Sequence, residues 1–184
     1  PRSRGLGDVY KRQVVTIAYD TASDTLLISI EDDGKGMPPE LLARVSSPFT
    51  TTRTTRKVGL GIPLFKQLAE MCGGELTLES TVGKGTRTQA TFTASHMDLP
   101  PMGDLKGTLE TLIIANPEKP DFCLIYRVDD EEFVFDTAVI REAVGGLPLN
   151  EPEIIAWIGQ YIAEGIGEVE QSRAGSCLLY TSPS

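Results

Sequence analysis

The stretch Thr25-Leu26-Leu27-Ile28-Ser29-Ile30-Glu31-Asp32-Asp33-Gly34-Lys35-Gly36-Met37 decides the architecture of this chain. Its first six residues are mostly apolar or β-branched, as strand residues are. Its last six form an Asp-x-Gly-x-Gly loop that leaves the strand directly. A carboxylate at such a place can accept a hydrogen bond from an exocyclic amine. Two glycines one residue apart let the backbone approach a flat ring, and Met37 adds an apolar contact. Taken alone, the same residues also make an ordinary Asp-Gly turn.

Upstream, residues 14–19 are a second β-branched run, and 20–24 read as the turn of a hairpin between 14–19 and 25–30. Downstream, Pro39–Ser46 has Leu41, Leu42 and Val45 on one helical face. Residues 47–58 are polar, rich in Thr and Arg and without a period, which predicts a mobile loop. Residues 62–72 follow helical spacing through Ile62, Phe65, Leu68, Ala69 and Cys72. Pro63 falls in the first turn and Gly73-Gly74 supplies the stop. Strands are predicted at 75–80 and 86–94, joined by Thr81-Val82-Gly83-Lys84-Gly85.

Two further glycine turns bear on chemistry. Lys57-Val58-Gly59-Leu60-Gly61-Ile62 opens a helix, where unpaired N–H groups hold phosphate oxygens. Arg53, Arg56 and Lys57 add positive charge beside it. A tight loop-to-helix turn with solvated basic residues fits the same letters. Gly83-Lys84-Gly85-Thr86 is a hairpin turn that also offers a hydroxyl.

The order of these pieces is more specific than any one of them. A strand ends in D-x-G-x-G, a short helix follows, then Pro48-Phe49-Thr50-Thr51-Thr52, a basic loop, G-L-G at a helix start, Gly-Gly, and a hairpin with G-x-G-T. In this order the sequence resembles the Bergerat-fold ATPases, the GHKL superfamily of gyrase, Hsp90, histidine kinases and MutL. Within it the likeness is to the histidine-kinase branch and spans about 14–95. It implies an α+β two-layer sandwich, a partial Bergerat ATP-binding fold, followed by a small α+β module. It implies ATP with Mg²⁺, two-component signalling, and phosphoryl transfer to a protein side chain.

Under that resemblance Asp32 binds the adenine amino group, and Gly34, Gly36 and Met37 shape the pocket. Phe49 and Thr51 belong to the phenylalanine box, and 47–58, with Arg53 and Lys57, form the ATP lid. Gly59, Leu60 and Gly61 meet the phosphates, and Thr86 helps hold the base. The chain departs from the family at Asp33, often Asn, at Lys57, often Gly, and at Pro63, usually a small residue. The family's asparagine box, which carries the Mg²⁺ ligand, has no counterpart from Val14 onward and is expected upstream. So is the helix bearing a phosphoacceptor histidine. No residue here is assigned to catalysis or to a metal, and the chain by itself is expected to be inactive and to bind Mg-ATP weakly. The alternative is an ATP-dependent regulatory module, anti-sigma-factor-like or associated with a redox enzyme, without histidine autokinase activity.

The two ends have a relationship of their own. Residues 5–13 can be encoded as GGG CTC GGA GAT GTG TAT AAG AGA CAG. The reverse complement, read one base in, gives Cys-Leu-Leu-Tyr-Thr-Ser-Pro-Ser, which is 177–184. Residues 1–13 and 176–184 are therefore expected to be translated sequencing-adapter scar around a segment cut from a longer protein. Outside them remain 13 basic and 25 acidic residues, a net charge of −12. That balance excludes binding along a nucleic-acid backbone, which needs a basic face. No run is long and apolar enough to span a bilayer and no signal peptide is visible, so a cytoplasmic location is expected. Cys72 and Cys123 lack metal-ligand spacing and read as reduced thiols.

Pro100-Pro101 and Gly103 break the pattern, so 96–103 reads as a linker. Beyond it, 104–175 is expected to be a small α+β module: helix Leu105–Ala115, strands 122–128 and 132–136, then helices Thr137–Ala143 and 152–168. It carries no catalytic signature and is expected to serve as an interaction surface for a protein partner. Trp157, Ile158, Tyr161 and Ile162 fit a core-facing helical stripe. His96, the sole histidine, falls in the linker and is expected to pack there rather than accept phosphate.

Overall fold

The computed structural model describes residues 12–46, 61–145 and 147–178. Its elements run β1 (Arg12–Asp20), β2 (Thr25–Asp32), α1 (Pro39–Ser46), α2 (Gly61–Met71), β3 (Leu76–Thr81), β4 (Gly85–Thr93), α3 (Leu105–Ala115), β5 (Asp121–Val128), β6 (Glu131–Asp136), α4 (Thr137–Ala143) and α5 (Pro152–Leu178). The six strands form one sheet in the order β3-β4-β2-β1-β5-β6. All neighbours are antiparallel except β1 and β5. The fold is α+β, with a mixed sheet and helices packed on it.

Both expected hairpins form, β1–β2 across residues 21–24 and β3–β4 across 82–84. Helix α2 stops where its glycines were read as a stop. Gly73 takes a φ of +73°, and the Gly74 N–H closes on the Ala69 carbonyl at 2.9 Å. Helices α3 and α4 are capped by Asp104 and Asp136, whose carboxylates accept from the N–H groups of Gly107 and Ala138, each at 2.9 Å. Helix α5 runs past 168, its expected end, to Leu178.

The segments 14–95 and 104–175 share one hydrogen-bonded sheet. β5 lies parallel to β1 with Val15 opposite Leu124 and Ile17 opposite Tyr126. Arg12 and Gln13, within the expected scar, are the first two residues of β1. Strand alternation then sets one buried face across the whole sheet. Ile17, Leu26, Ala90 and Phe92 meet Ala69 and Cys72 at the α2 end. Leu124, Tyr126, Phe133 and Phe135 meet Leu109, Ile113, Ile158 and Ile162 beneath α3 and α5. These residues make one cluster, and Cys72 and Cys123 are both free and buried.

The 152–168 stripe divides in two. Ile158 and Ile162 are fully buried, while Trp157 and Tyr161 stand at the surface. Side chains at adjacent helical positions diverge by about 100°, so both pairs cannot face the same core. His96 is local in its bonding: its Nδ1 accepts the Asp98 N–H at 3.2 Å. No helix among the described residues is long and apolar enough to cross a membrane.

Asp121, at the start of β5, is the buried charged residue among the described residues. Burial raises its pKa, but hydrogen bonding and charge from Lys119, then Arg141, outweigh that and hold the carboxyl below its ordinary 3.8. A depressed carboxyl stabilises the fold fully above its unfolded value. That contribution is lost as pH falls through the folded value. Asp121→Asn is accordingly expected to cost about 2 kcal/mol near neutral pH, the scale of a hydrogen bond to a charged group. The difference from the parent should shrink in urea titrations well below pH 3.8. A deficit independent of pH would assign Asp121 a packing role only.

Candidate functional site

Two of the sequence signatures, far apart in the chain, form a single joint. Loop 32–37 leaves β2 and crosses over the β3–β4 turn. The Gly83 N–H donates to the Lys35 carbonyl at 2.8 Å. Gly36 has a φ of +64°, and a Cβ there would lie 2.0 Å from the Thr81 carbonyl oxygen. Gly85 has a φ of +109°, and a Cβ there would lie 1.8 Å from the Asp32 carbonyl oxygen. Each glycine is thus required twice, by its backbone angle and by the close approach of the other segment.

Ser80 ties the joint together. Its Oγ accepts the Met37 N–H at 2.8 Å, donates to the Gly85 carbonyl at 3.0 Å and lies 2.9 Å from Thr86 Oγ1. One hydroxyl hydrogen and two lone pairs are satisfied if Thr86 donates to Ser80. The sequence gives little sign of Ser80 beyond its place six residues before the Gly83–Thr86 signature closes. Ser80→Ala is expected to lower stability by about 1–3 kcal/mol, because the half-buried Met37 N–H loses its acceptor. A chemical denaturation midpoint unchanged from the parent would show that water replaces the hydroxyl there.

Asp32 and Thr86 face each other across the β2–β4 ladder. One Asp32 oxygen, Oδ1, accepts the Gly34 N–H at 2.9 Å, which makes the Asx-turn that starts the loop. The other oxygen has no partner among the described residues. By alternation Asp32 shares the helix-covered face with Ile30, Val15, Leu78 and Thr88. Ile30 is 41% exposed although β2 lies inside the sheet. An apolar side chain there, two residues before the carboxylate, is the second feature missed in the sequence. Its signal was the simple i, i+2 alternation of the strand.

A depression of about 190 Å³ also touches Asp32, Ser80 and Thr86. Its other lining residues include Glu31, Glu79 and Arg87, which alternate to the opposite, open face. Ile30 alternates to the other face of the sheet.

Asp32, Gly34, Gly36, Met37 and Thr86 are therefore brought together. Gly61 is the first residue of α2, with open space where a Cβ would stand. Phe49, Thr51, Arg53, Lys57, Gly59 and Leu60 lie outside the described residues, as does the segment read as the lid. Among the described residues no three His, Cys, Asp or Glu side chains converge to hold a metal ion. One Asp32 carboxylate oxygen without a partner among the described residues and the Thr86 hydroxyl therefore lie on one face of the sheet with the exposed Ile30.

Residues 7–96 match the family model described as histidine kinase-, DNA gyrase B-, and HSP90-like ATPase. This segment belongs to that family of ATPases. Sporulation kinase C of Bacillus subtilis is 37% identical over 82 residues, 45% of this chain and 19% of that protein. Sensor histidine kinase AruS of Pseudomonas aeruginosa is 38% identical over 85 residues, 44% of this chain and 8% of that protein. The chain thus matches less than a fifth of the length of either relative. The histidine kinase domain of the blue-light activated histidine kinase from Erythrobacter litoralis EL346 aligns over 47% of this chain and 35% of that one, with 23% identity and a TM-score of 0.31.

Proposed function

We propose that this chain carries the ATP-binding part of a histidine-kinase-type protein that transfers the γ-phosphoryl group of ATP to a protein side chain. The observation that carries the reading is the Asp32 oxygen without a partner among the described residues, beside Thr86 and the exposed Ile30, on a loop locked to the 81–85 turn. Asp32 would accept from the exocyclic amine of adenine, Thr86 would accept at the ring edge, and Ile30 with Met37 would cover its faces. The start of α2 at Gly61 would direct N–H groups to the phosphates. Bound Mg²⁺ would neutralise phosphate charge, and the residues described here position the nucleotide rather than the metal.

The base is the discriminating feature. Titration with ATP, followed by amide NMR shifts, is expected to move the signals of residues 32–37 and 83–86, while GTP, which carries a carbonyl where ATP has the amine, moves them far less. Equal shifts with both nucleotides, or none with ATP, would remove the proposal.

A second reading is ATP-dependent regulation of a partner without transfer to histidine. It is favoured by β5 and β6, which extend the sheet of the ATPase segment itself. Stable incorporation of the γ-phosphate of ATP into an added histidine-bearing helix would decide for the kinase.

A further inference from the structure

The sheet ends at β6, whose outer edge has no strand partner among the described residues. Such an edge turns alternate N–H and C=O groups outward, ready to pair with another strand. Beside it, β6, α4 and α5 enclose an apolar groove of about 540 Å³, lined chiefly by Val134, Val139, Ile140, Val144, Trp157 and Tyr161. Val139 is 63% exposed, Trp157 53% and Val134 46%. The aromatic wall is already arranged. Trp157 and Tyr161 stack with centroids 5.4 Å apart and planes within 4°. Tyr161 also meets Phe133 edge-on at 5.3 Å. A partner would therefore meet a rigid aromatic surface at small cost in side-chain entropy.

The shape of the groove selects an extended segment. Val134 alternates to the face of the sheet away from the helices, whereas Trp157 and Tyr161 stand on the helix side. A docking helix would cover one side of the edge. A strand running along β6 sends alternate side chains to both sides while its backbone pairs with the edge. Six residues of β6 offer about 20 Å of such pairing.

Charge selects the partner. Glu132 is paired with Arg127 at 2.7 Å and Asp136 with Arg12 at 2.7 Å. Asp130 and Glu131, at the turn end of β6, are exposed and have no ion-pair partner among the described residues. A second copy of this chain would bring a net charge of −9 against −9. In antiparallel pairing of β6 with itself, it would also bring Glu131 toward Asp136.

We infer that the β6 edge and its groove bind an extended segment of a different protein. That segment is apolar at alternate positions and carries lysine or arginine where it passes Asp130 and Glu131. It pairs with β6 as an added strand, and its anchors enter between Trp157 and Val139. This site is independent of the nucleotide reading, since none of its residues touches the 32–37 or 81–86 segments.

Selection of a random decapeptide library on the full chain tests the inference. The expected consensus alternates apolar and polar positions and ends in basic residues. The selected peptide should bind at least about tenfold more weakly to the Trp157→Ala and Val139→Ser chains, and at least about tenfold more weakly when its alternate amides are N-methylated. Raising the salt from about 0.05 to 0.5 M should weaken it severalfold. An absence of enrichment over either variant, a helical consensus, or full affinity of the N-methylated peptide would each overturn the inference. Sedimentation of the chain alone should show a monomer. A dimer dissociated by Val134→Lys would give the groove to a second copy instead and refute a foreign strand.

Discussion

Gly85→Ala is expected to lower the unfolding free energy by about 3 kcal/mol, because backbone strain and overlap act at the same residue. A φ of +109° lies beyond the left-handed helical region, where a side chain costs about 1–3 kcal/mol. The new Cβ would also stand 1.8 Å from the Asp32 carbonyl oxygen and 2.9 Å from the Asp33 Cα. Both are backbone atoms and cannot swing aside as a side chain would. Relief requires β4 to separate from β2 at the Asp32–Thr86 pair, an overpacking cost of about 1–3 kcal/mol more. Gly83→Ala is the control. Gly83 has a φ of +77° but open space around its Cβ. It should lose only about 1 kcal/mol. The comparison is read from urea midpoints at constant slope. Equal losses at the two positions would mean that backbone angle alone, and not the contact with Asp32, requires glycine at 85.

Asp32→Asn is expected to weaken ATP binding at least about tenfold with stability changed by less than about 0.5 kcal/mol. Asparagine retains an oxygen for the Gly34 N–H, now 2.9 Å from Asp32 Oδ1, so the turn persists. Its amide nitrogen replaces the free carboxylate oxygen and would confront the adenine amine donor to donor. Losing a hydrogen bond to a charged group costs about 1.5–3 kcal/mol, which is roughly 10–150-fold in affinity. Asp33→Asn serves as comparison, because Asp33 instead accepts the Arg12 backbone N–H at 2.9 Å. NMR titration of both variants with ATP measures the difference. An Asp32→Asn chain that binds ATP as the parent does would withdraw this carboxylate from base recognition, while the fold would stand.

Most of the local structure was legible because its causes are local. β-branched runs gave β1 and β2, and Gly73-Gly74 ended α2. The candidate site was legible in outline. Asp32, Gly36 and Thr86 announced themselves by residue type and spacing. Ser80 and Ile30 did not, since a serine in an edge hairpin and an isoleucine in a strand are ordinary there. Their significance comes from what lies across from them: the Met37 N–H for Ser80, and uncovered sheet surface for Ile30. Trp157, Ile158, Tyr161 and Ile162 are alike in the sequence because all four are largely apolar. Only the position of β6 under α5 separates the buried pair from the exposed pair.

By itself, then, the sequence determined the elements, the stop of α2 and the spacing of the two glycine-bearing turns. These depend on residues within a few positions of one another, through propensity, capping and positive φ. Tertiary structure alone decided that β5 runs parallel to β1, that 104–175 continues the sheet of 14–95, and that loop 32–37 locks onto the 81–85 turn. The first two rest on backbone hydrogen bonds between segments about a hundred residues apart, for which many β-branched runs would serve equally well. The lock depends on which carbonyl a missing Cβ leaves room for, and no residue declares that partner in advance.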